Sequence, residues 1–263
     1  MASSKRESER VFFGVSAVLF AASAAGTILW RPSMSGMAAM PSPGGQAMAM
    51  DAMSTPSPTW PGAATFLGMW VVMMATMMLP SLVPMLWRYR RIVAVAGETR
   101  LGRLTVLAGM GYFLVWTALG PAGFAVSVLL GAVEARLPAL ARALPIAVGL
   151  VVVIAGALQF TAWKAHHLAC CREAPWTGRK TPADAGAAWR HGLRLGLHCS
   201  CCCAGLMAIL LAVGLMDFRA MLAVGAAITV ERLAPGGERV ARVIGVLVVG
   251  AGLFLIARAI GHA

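Results

Sequence analysis

The stretch FLGMWVVMMATMMLPSLVPML, residues 66–86, decides the fold class of this protein. It contains no Asp, Glu, Lys or Arg, and as an α-helix it would extend about 30 Å, the thickness of the hydrocarbon core of a membrane. A surface helix of a soluble protein carries charged residues on one face, and this stretch has none. We therefore predict a membrane-spanning helix here.

Uncharged windows of this kind recur along the whole chain. There are seven of them: 11–30, 63–87, 104–130, 143–163, 195–216, 220–230 and 243–257. The sixth is short and would cross a membrane only if Arg219 and Glu231 at its ends reached the aqueous interface. The pattern predicts an all-α, polytopic integral membrane protein with about seven transmembrane helices.

The overall composition supports a membrane protein and argues against other classes. Of the 263 residues, 59% are hydrophobic and 12% are charged, whereas soluble domains carry about 25% charged residues. The net charge of +12 is spread over short segments between the apolar windows, so it does not form a nucleic-acid-binding patch. We find no phosphate-binding loop, GxSxG or HExxH motif, and we predict no catalytic residue and no organic cofactor.

The distribution of basic residues predicts the orientation of the chain. Alternate connecting segments divide the 22 Lys and Arg residues into 17 on one side and 5 on the other. The positive-inside rule places the N-terminus in the cytoplasm and the C-terminus outside. The first window could instead be a signal peptide cleaved after Ala22-Ser23-Ala24, which would leave six transmembrane helices.

These windows divide the chain into three predicted parts. Residues 1–30 form a cytoplasmic N-terminus with the first transmembrane helix or signal, and residues 31–62 form an extracytoplasmic loop rich in Met, Pro and Gly. Residues 63–263 form a six-helix membrane domain that handles metal.

Methionines are concentrated in the predicted outer loop. Met34, Met37 and Met40 recur at a spacing of three, and three more methionines follow in the same segment. Its Pro, Gly and Ser content predicts a loose loop, in which packing does not require thioethers. Thioethers suit Cu(I) and cannot form disulfides outside the cell, so we interpret the loop as a metal collector. The alternative is a low-complexity segment without a ligand.

A second set of methionines lies along the helix that contains residues 66–86. Its five members recur at helical spacing and form adjoining stripes: Met69, Met73, Met74, Met77 and Met78. The stripes would provide thioether ligands over about 12 Å of membrane depth. The alternative is adaptable helix packing. Pro80 and Pro84 are expected to bend or break the same helix.

The six cysteines fall on the predicted cytoplasmic side. They occur in HHLACCREAP, residues 166–175, and in GLHCSCCCAGLM, residues 196–207. A reducing compartment keeps them as thiols, and a group of thiolates beside a histidine can bind Cu(I) or Zn(II). The alternative is small, buried packing residues. The candidate ligands are Cys170, Cys171, Cys199, Cys201, Cys202, Cys203, His167 and His198.

The acidic residue at the inner end of the sixth window has a structural interpretation. Glu231 is expected to pair with Arg232 or Arg194 and to anchor the helix at the interface.

Taken in order, the motifs resemble a bacterial family of predicted metal-binding integral membrane proteins, domain of unknown function 2182. The resemblance covers roughly residues 60–258. It rests on MWVVMMATMMLP (69–80), HLACCREAP (167–175), GLHCSCCCAGLM (196–207), AVGLMDFRAM (212–221) and ERLAP (231–235). It implies metal binding and a multi-pass location in the bacterial inner membrane.

The chain departs from that family's pattern at two places near the sulfur residues. His167 stands where the family has the first cysteine of CLxxC, and the family's CxGCCW is changed to a sequence with Cys201 and Ala204. Both changes keep or add metal ligands.

The hypothesis that follows is transmembrane handling of a soft metal ion, either transport or delivery. The metal expected is Cu(I), with Zn(II) as the alternative. The expected partners are the lipid bilayer, the metal ion, and a copper chaperone or copper-dependent membrane enzyme, but not nucleic acid. Two rival hypotheses are an assembly or scaffold subunit of a membrane copper enzyme complex and a membrane thiol-redox protein.

Overall fold

The computed structural model describes residues 2–38, 59–95, 100–136, 138–172, 184–213 and 217–261. Within these ranges every regular element is an α-helix, so the predicted all-α class is confirmed. The helices are α1 (Ala2–Ala38), α2 (Trp60–Val95), α3 (Leu101–Arg136), α4 (Pro138–Leu158), α5 (Ala162–Arg172), α6 (Ala185–Val213), α7 (Phe218–Leu233) and α8 (Gly237–Gly261).

Most of the predicted windows correspond to helices of spanning length. In the described part of the chain, α1, α2, α3, α6 and α8 are long and apolar enough to cross a membrane. A sixth span results if α4 and α5 are counted as one bent segment.

The predicted window 143–163 is a bent element. The axes of α4 and α5 differ by 64°. At the end of α4, the backbone N–H groups of residues 159–161 bond to carbonyls three residues earlier, which tightens the last turn and ends the helix. Thr161 then caps α5, because its hydroxyl accepts a hydrogen bond from the backbone N–H of Lys164. The bend turns α5 toward α6.

The short sixth window, 220–230, forms α7. This helix has 16 residues and is about 24 Å long, which is less than the hydrocarbon core of about 30 Å. It begins after Asp217, whose carboxylate accepts hydrogen bonds from the backbone N–H groups of Arg219 and Ala220. Near its other end, Glu231 and Arg232 are both buried in the protein. α7 is therefore too short to be the transmembrane helix that the prediction of seven spans requires.

The predicted outer loop is described only in part. α1 continues to Ala38, so the first eight residues of the segment 31–62 are helical. Met34 and Met37 belong to this end of α1, for which the structure describes the helix but not the side chains. Met40 lies outside the described residues.

Glycines allow the closest helix packing. A Cβ on Gly192 of α6 would lie 2.0 Å from the carbonyl oxygen of Ala108 on α3, so these two helices meet at their backbones. α4 and α8 approach in the same way, through Gly149 and Gly156 on one helix and Gly245 and Gly252 on the other. Small residues let membrane helices pack where the lipid offers no hydrophobic driving force between them.

The central helix of the fold is α2. It is one continuous helix through Pro80 and Pro84, so of the expected bend or break the break does not occur. Ser81 donates a hydrogen bond to the carbonyl of Met78 in this region. The buried core forms mainly around α2, with α3, α6 and α7 against it.

Candidate metal centre

Four of the six cysteines form a continuous line of sulfur contacts, which we call the thiol cluster. It consists of Cys171, Cys199, Cys202 and Cys203. The Sγ–Sγ distances are 3.9 Å from Cys171 to Cys202, 3.6 Å from Cys202 to Cys203 and 3.9 Å from Cys203 to Cys199. All four residues are buried.

The thiol cluster arises from helical spacing on α6 and from the bend before α5. Cys199 and Cys203 are one turn apart on α6, so their side chains lie on the same face. Cys171 reaches Cys202 because α5 packs against α6 after the bend. Lys164 on α5 also donates a 2.6 Å hydrogen bond to the carbonyl of Cys202.

The sulfur separations are compatible with ligands around one ion. Two sulfurs bound tetrahedrally at about 2.3 Å from a metal would be about 3.8 Å apart. The same separation is also an ordinary contact between sulfur atoms. As the side chains stand, no group of three or more His, Cys, Asp or Glu residues in the described ranges is arranged to hold a metal. A pair of neighbouring thiols in the cluster would nevertheless be enough for Cu(I), which prefers soft sulfur ligands.

The methionine stripes end at the thiol cluster. Met69, Met73, Met74, Met77 and Met78 are all buried. The Sδ of Met78 lies 4.0 Å from the Sγ of Cys199. Met69 lies nine residues earlier on the same helix, about 13 Å away along its axis. The stripes therefore form a buried row of thioethers with one end at the cysteines.

The remaining predicted ligands lie beside the thiol cluster. Cys201 is partly exposed and takes part in no sulfur contact with the other described cysteines. His167 and His198 form a histidine pair, with their Nδ1 atoms 3.2 Å apart. Cys170 contacts His166 instead, at 3.7 Å between Sγ and Nε2.

The histidine pair and the thiol cluster are in register. His167 and Cys171 are four residues apart on α5, and His198 and Cys202 are four residues apart on α6. On each helix the histidine therefore lies one turn, or about 6 Å, from its cysteine. His167 and His198 are partly exposed, whereas Cys171 and Cys202 are buried. The histidine pair is the more accessible side of the thiol cluster.

The predicted partner of Glu231 is wrong. Its carboxylate pairs with Lys164 at 2.7 Å, not with Arg232 or Arg194, and both members of the pair are almost fully buried. Lys164 comes within reach because α5 bends back over α6. The sequence contained a signal for this pair, since a lysine and a glutamate each border an apolar window and each needs a partner inside the membrane.

Arg232 contacts the sulfur atoms instead. Its Nη1 lies 3.1 Å from the Sγ of Cys199, and its Nη2 lies 3.0 Å from the Sδ of Met85. Nη1 also donates to the hydroxyl of Ser81 at 2.9 Å. The hydroxyl of Tyr112 lies 3.0 Å from the Sγ of Cys199. Sequence reasoning missed Tyr112, Met85 and this role of Arg232, because their positions depend on how α2, α3 and α7 pack.

Comparison with known proteins relates this arrangement to copper. No curated protein and no solved structure matches the chain. A family model, PpoB2, described as copper chaperone, matches residues 67–255. This range contains the thiol cluster, the histidine pair and the row of thioethers. It supports a copper-related role, while the narrower resemblance to domain of unknown function 2182 stays a prediction. The chain belongs to the PpoB2 copper chaperone family.

Proposed function

We propose that this protein binds copper as Cu(I) at the thiol cluster and transfers it, by transport or by delivery, to a copper-dependent protein. The proposal rests on the buried line of four thiols, with Sγ–Sγ distances of 3.6–3.9 Å. Ligands that share an ion must lie close together, and each neighbouring pair of sulfurs in the cluster is close enough to bind one ion.

The surroundings of the thiol cluster favour Cu(I) over Zn(II). The nearest further sulfur is the thioether of Met78, 4.0 Å from Cys199. Thioethers are soft, neutral ligands that Cu(I) accepts, whereas protein zinc sites use Cys, His, Asp and Glu. Cu(I) also needs fewer ligands than the four of a structural zinc site, so it requires less movement of the side chains.

Two approaches to the thiol cluster suit transfer by ligand exchange. On α2, the buried thioethers from Met69 to Met78 offer neutral ligands that hold Cu(I) weakly. On α5 and α6, the histidine pair lies one turn from the thiols and is partly exposed. With the predicted orientation, the thioethers lead from the outer side of the membrane, and the histidines lie toward the cytoplasm. An outer methionine loop would collect the ion.

The first test measures metal bound to the detergent-purified protein from cells grown with copper. Wild-type protein is expected to carry copper, and the double variant Cys202→Ser/Cys203→Ser is expected to lose nearly all of it, because it lacks the two central sulfurs. Cys201→Ser is the matched control, because it removes a thiol from the same helix whose sulfur makes no contact with the sulfurs of the cluster. It is expected to keep its copper.

Zinc in place of copper, or no metal in the wild-type protein, would contradict the proposal. Equal loss of copper from Cys201→Ser and from the double variant would also contradict it, because the thiol cluster would then not be the site. Copper flux into proteoliposomes distinguishes the two modes: transport predicts flux, and delivery at one membrane face predicts copper transfer to an acceptor without flux.

A further inference from the structure

Arg232 is a buried cation that lies directly against the thiol cluster. Only 3% of the residue is exposed. Its guanidinium contacts the Sγ of Cys199, the Sδ of Met85 and the hydroxyl of Ser81. The hydroxyl of Tyr112 lies at 3.5 Å. These groups come from α2, α3 and α6, so four helices meet at this side chain.

No carboxylate in the described residues neutralises this charge. The adjacent Glu231 is paired with Lys164 at 2.7 Å, and no other described carboxylate lies within ion-pairing distance of Arg232. A buried charge without a counter-ion is strongly destabilising, and more so inside a membrane. The groups around Arg232 that can carry negative charge are the thiols of the cluster and the phenol of Tyr112, and a thiol is the stronger acid of the two in water.

We propose that Arg232 is the resident counter-cation of the thiol cluster and makes it selective for a monovalent soft cation held by two thiolates. This inference rests on the proposed function of the cluster. It goes further by assigning a net charge to the metal complex and by naming Arg232 as the residue that balances this charge.

The charges explain the selectivity. A monovalent ion bound by two thiolates forms a complex of charge −1, which Arg232 neutralises. A divalent ion bound by the same two thiolates forms a neutral complex and leaves Arg232 without a counter-ion. Charges in contact inside a protein interact far more strongly than in water, so Arg232 favours the first complex substantially.

The two nearby methionines have different roles in this arrangement. Met85 accepts an N–H of Arg232 through its sulfur, so one of the two lone pairs of that sulfur is directed at the arginine. Met78 contacts Cys199 and not Arg232, so its sulfur remains directed at the thiol cluster. Cys199 is therefore contacted by the positive charge of Arg232 and by the neutral thioether of Met78.

The test compares two soft metal ions that both accept two thiolates but differ in charge, Ag(I) and Hg(II). Binding of each to the full-length, detergent-purified protein is measured by competition with a small thiol. Arg232→Gln is expected to weaken Ag(I) binding at least about tenfold relative to Hg(II) binding. Arg232→Lys keeps the charge and is expected to keep the wild-type ratio of the two affinities.

A second variant cancels the charge without removing the arginine. Ser81→Asp places a carboxylate where the hydroxyl now lies 2.9 Å from Nη1. It is expected to lower the Ag(I):Hg(II) affinity ratio as Arg232→Gln does, and it serves if Arg232→Gln does not fold. An unchanged Ag(I):Hg(II) ratio would refute the charge effect, and if both affinities fall equally the role of Arg232 is purely structural. Failure of the wild-type protein to bind Ag(I) or copper would instead refute the proposed function itself.

Discussion

The helices α2 and α8 are both apolar, but they differ in how much of their surface is buried inside the protein. In α2, which carries the thioether row, 56% of the most apolar window is buried, whereas in α8 only 11% is buried. Yet α8 has the higher mean hydropathy over that window, 2.5 against 1.9. In lipid, apolar side chains gain nothing by moving to the interior. Polar, sulfur-containing and small residues therefore decide which helix faces are buried.

The two regions are also held together differently. The centre around the thiol cluster contains the Lys164–Glu231 ion pair and Arg232, all buried. The α4–α8 pair is joined by glycines, and at Gly149, Gly156 and Gly252 a Cβ would meet the partner backbone. We therefore expect charge substitutions to damage the centre, and substitutions at contact glycines to damage the pair without affecting metal.

The largest effect is expected in the centre, from Lys164→Met. This variant leaves the Glu231 carboxylate buried without its partner and should lower the free energy of unfolding by about 3–5 kcal/mol. The double variant Lys164→Met/Glu231→Leu should recover much of that loss. Thermal unfolding in detergent measures both.

The control for this prediction is Arg242→Met on α8. Arg242 and Glu238 form an exposed pair at 3.9 Å, with side chains 65% and 56% exposed. Such pairs contribute about 0–1 kcal/mol, so the control should unfold almost like wild type. Equal destabilisation by Lys164→Met and Arg242→Met would remove the distinction between the two regions.

An intermediate effect is expected in the α4–α8 pair, from Gly252→Ala. The new Cβ would lie 2.8 Å from the backbone nitrogen of Val153 and 3.0 Å from the carbonyl oxygen of Gly149. The helices would have to separate, at a cost of about 1–3 kcal/mol. Gly250→Ala is the matched control, because its Cβ would meet nothing within 4 Å. Thermal unfolding should separate the two variants, while the copper content of both stays at the wild-type value.

The smallest effect on stability is expected from Met78→Leu in the centre. Leucine has a similar volume, so the loss of stability should be less than about 1.5 kcal/mol. It lacks the thioether 4.0 Å from Cys199, so copper affinity should fall severalfold. Met110→Leu on the exposed surface of α3 is the control. If competition with a Cu(I) chelator gives the same affinity for both variants, Met78 is a packing residue only.

Local patterns predicted the parts of the candidate site that lie on one helix. Cys199 and Cys203 share a face because α-helical spacing requires it, and the methionines of α2 lie in stripes for the same reason. Nothing local distinguishes Cys201 from Cys202, yet Cys202 contacts two other thiols and Cys201 contacts none of the described ones. Which face of α6 meets α5 decides between them.

Longer-range partners were beyond sequence reasoning. The sequence predicts Arg232 or Arg194 as the partner of Glu231, but the bend at residues 159–161 brings Lys164 to it instead. That bend lies inside a window without charge, so hydropathy predicts a straight helix there. The length of α7 is a similar case, since the sixth window spans a membrane only if Arg219 and Glu231 reach the aqueous interface, whereas Glu231 is buried in the protein.

By itself, the sequence determined the all-α membrane fold, most of the spanning helices and the concentration of sulfur, because hydropathy and helical spacing are properties of short segments. The orientation from the distribution of basic residues stays a prediction of the same kind. Only the tertiary structure decided that Cys171 joins the cysteines of α6, that Lys164 neutralises Glu231 and that Arg232 faces sulfur. Those contacts depend on the bend and on glycine packing between distant helices, and a buried charge pairs with whatever group the packing brings within reach.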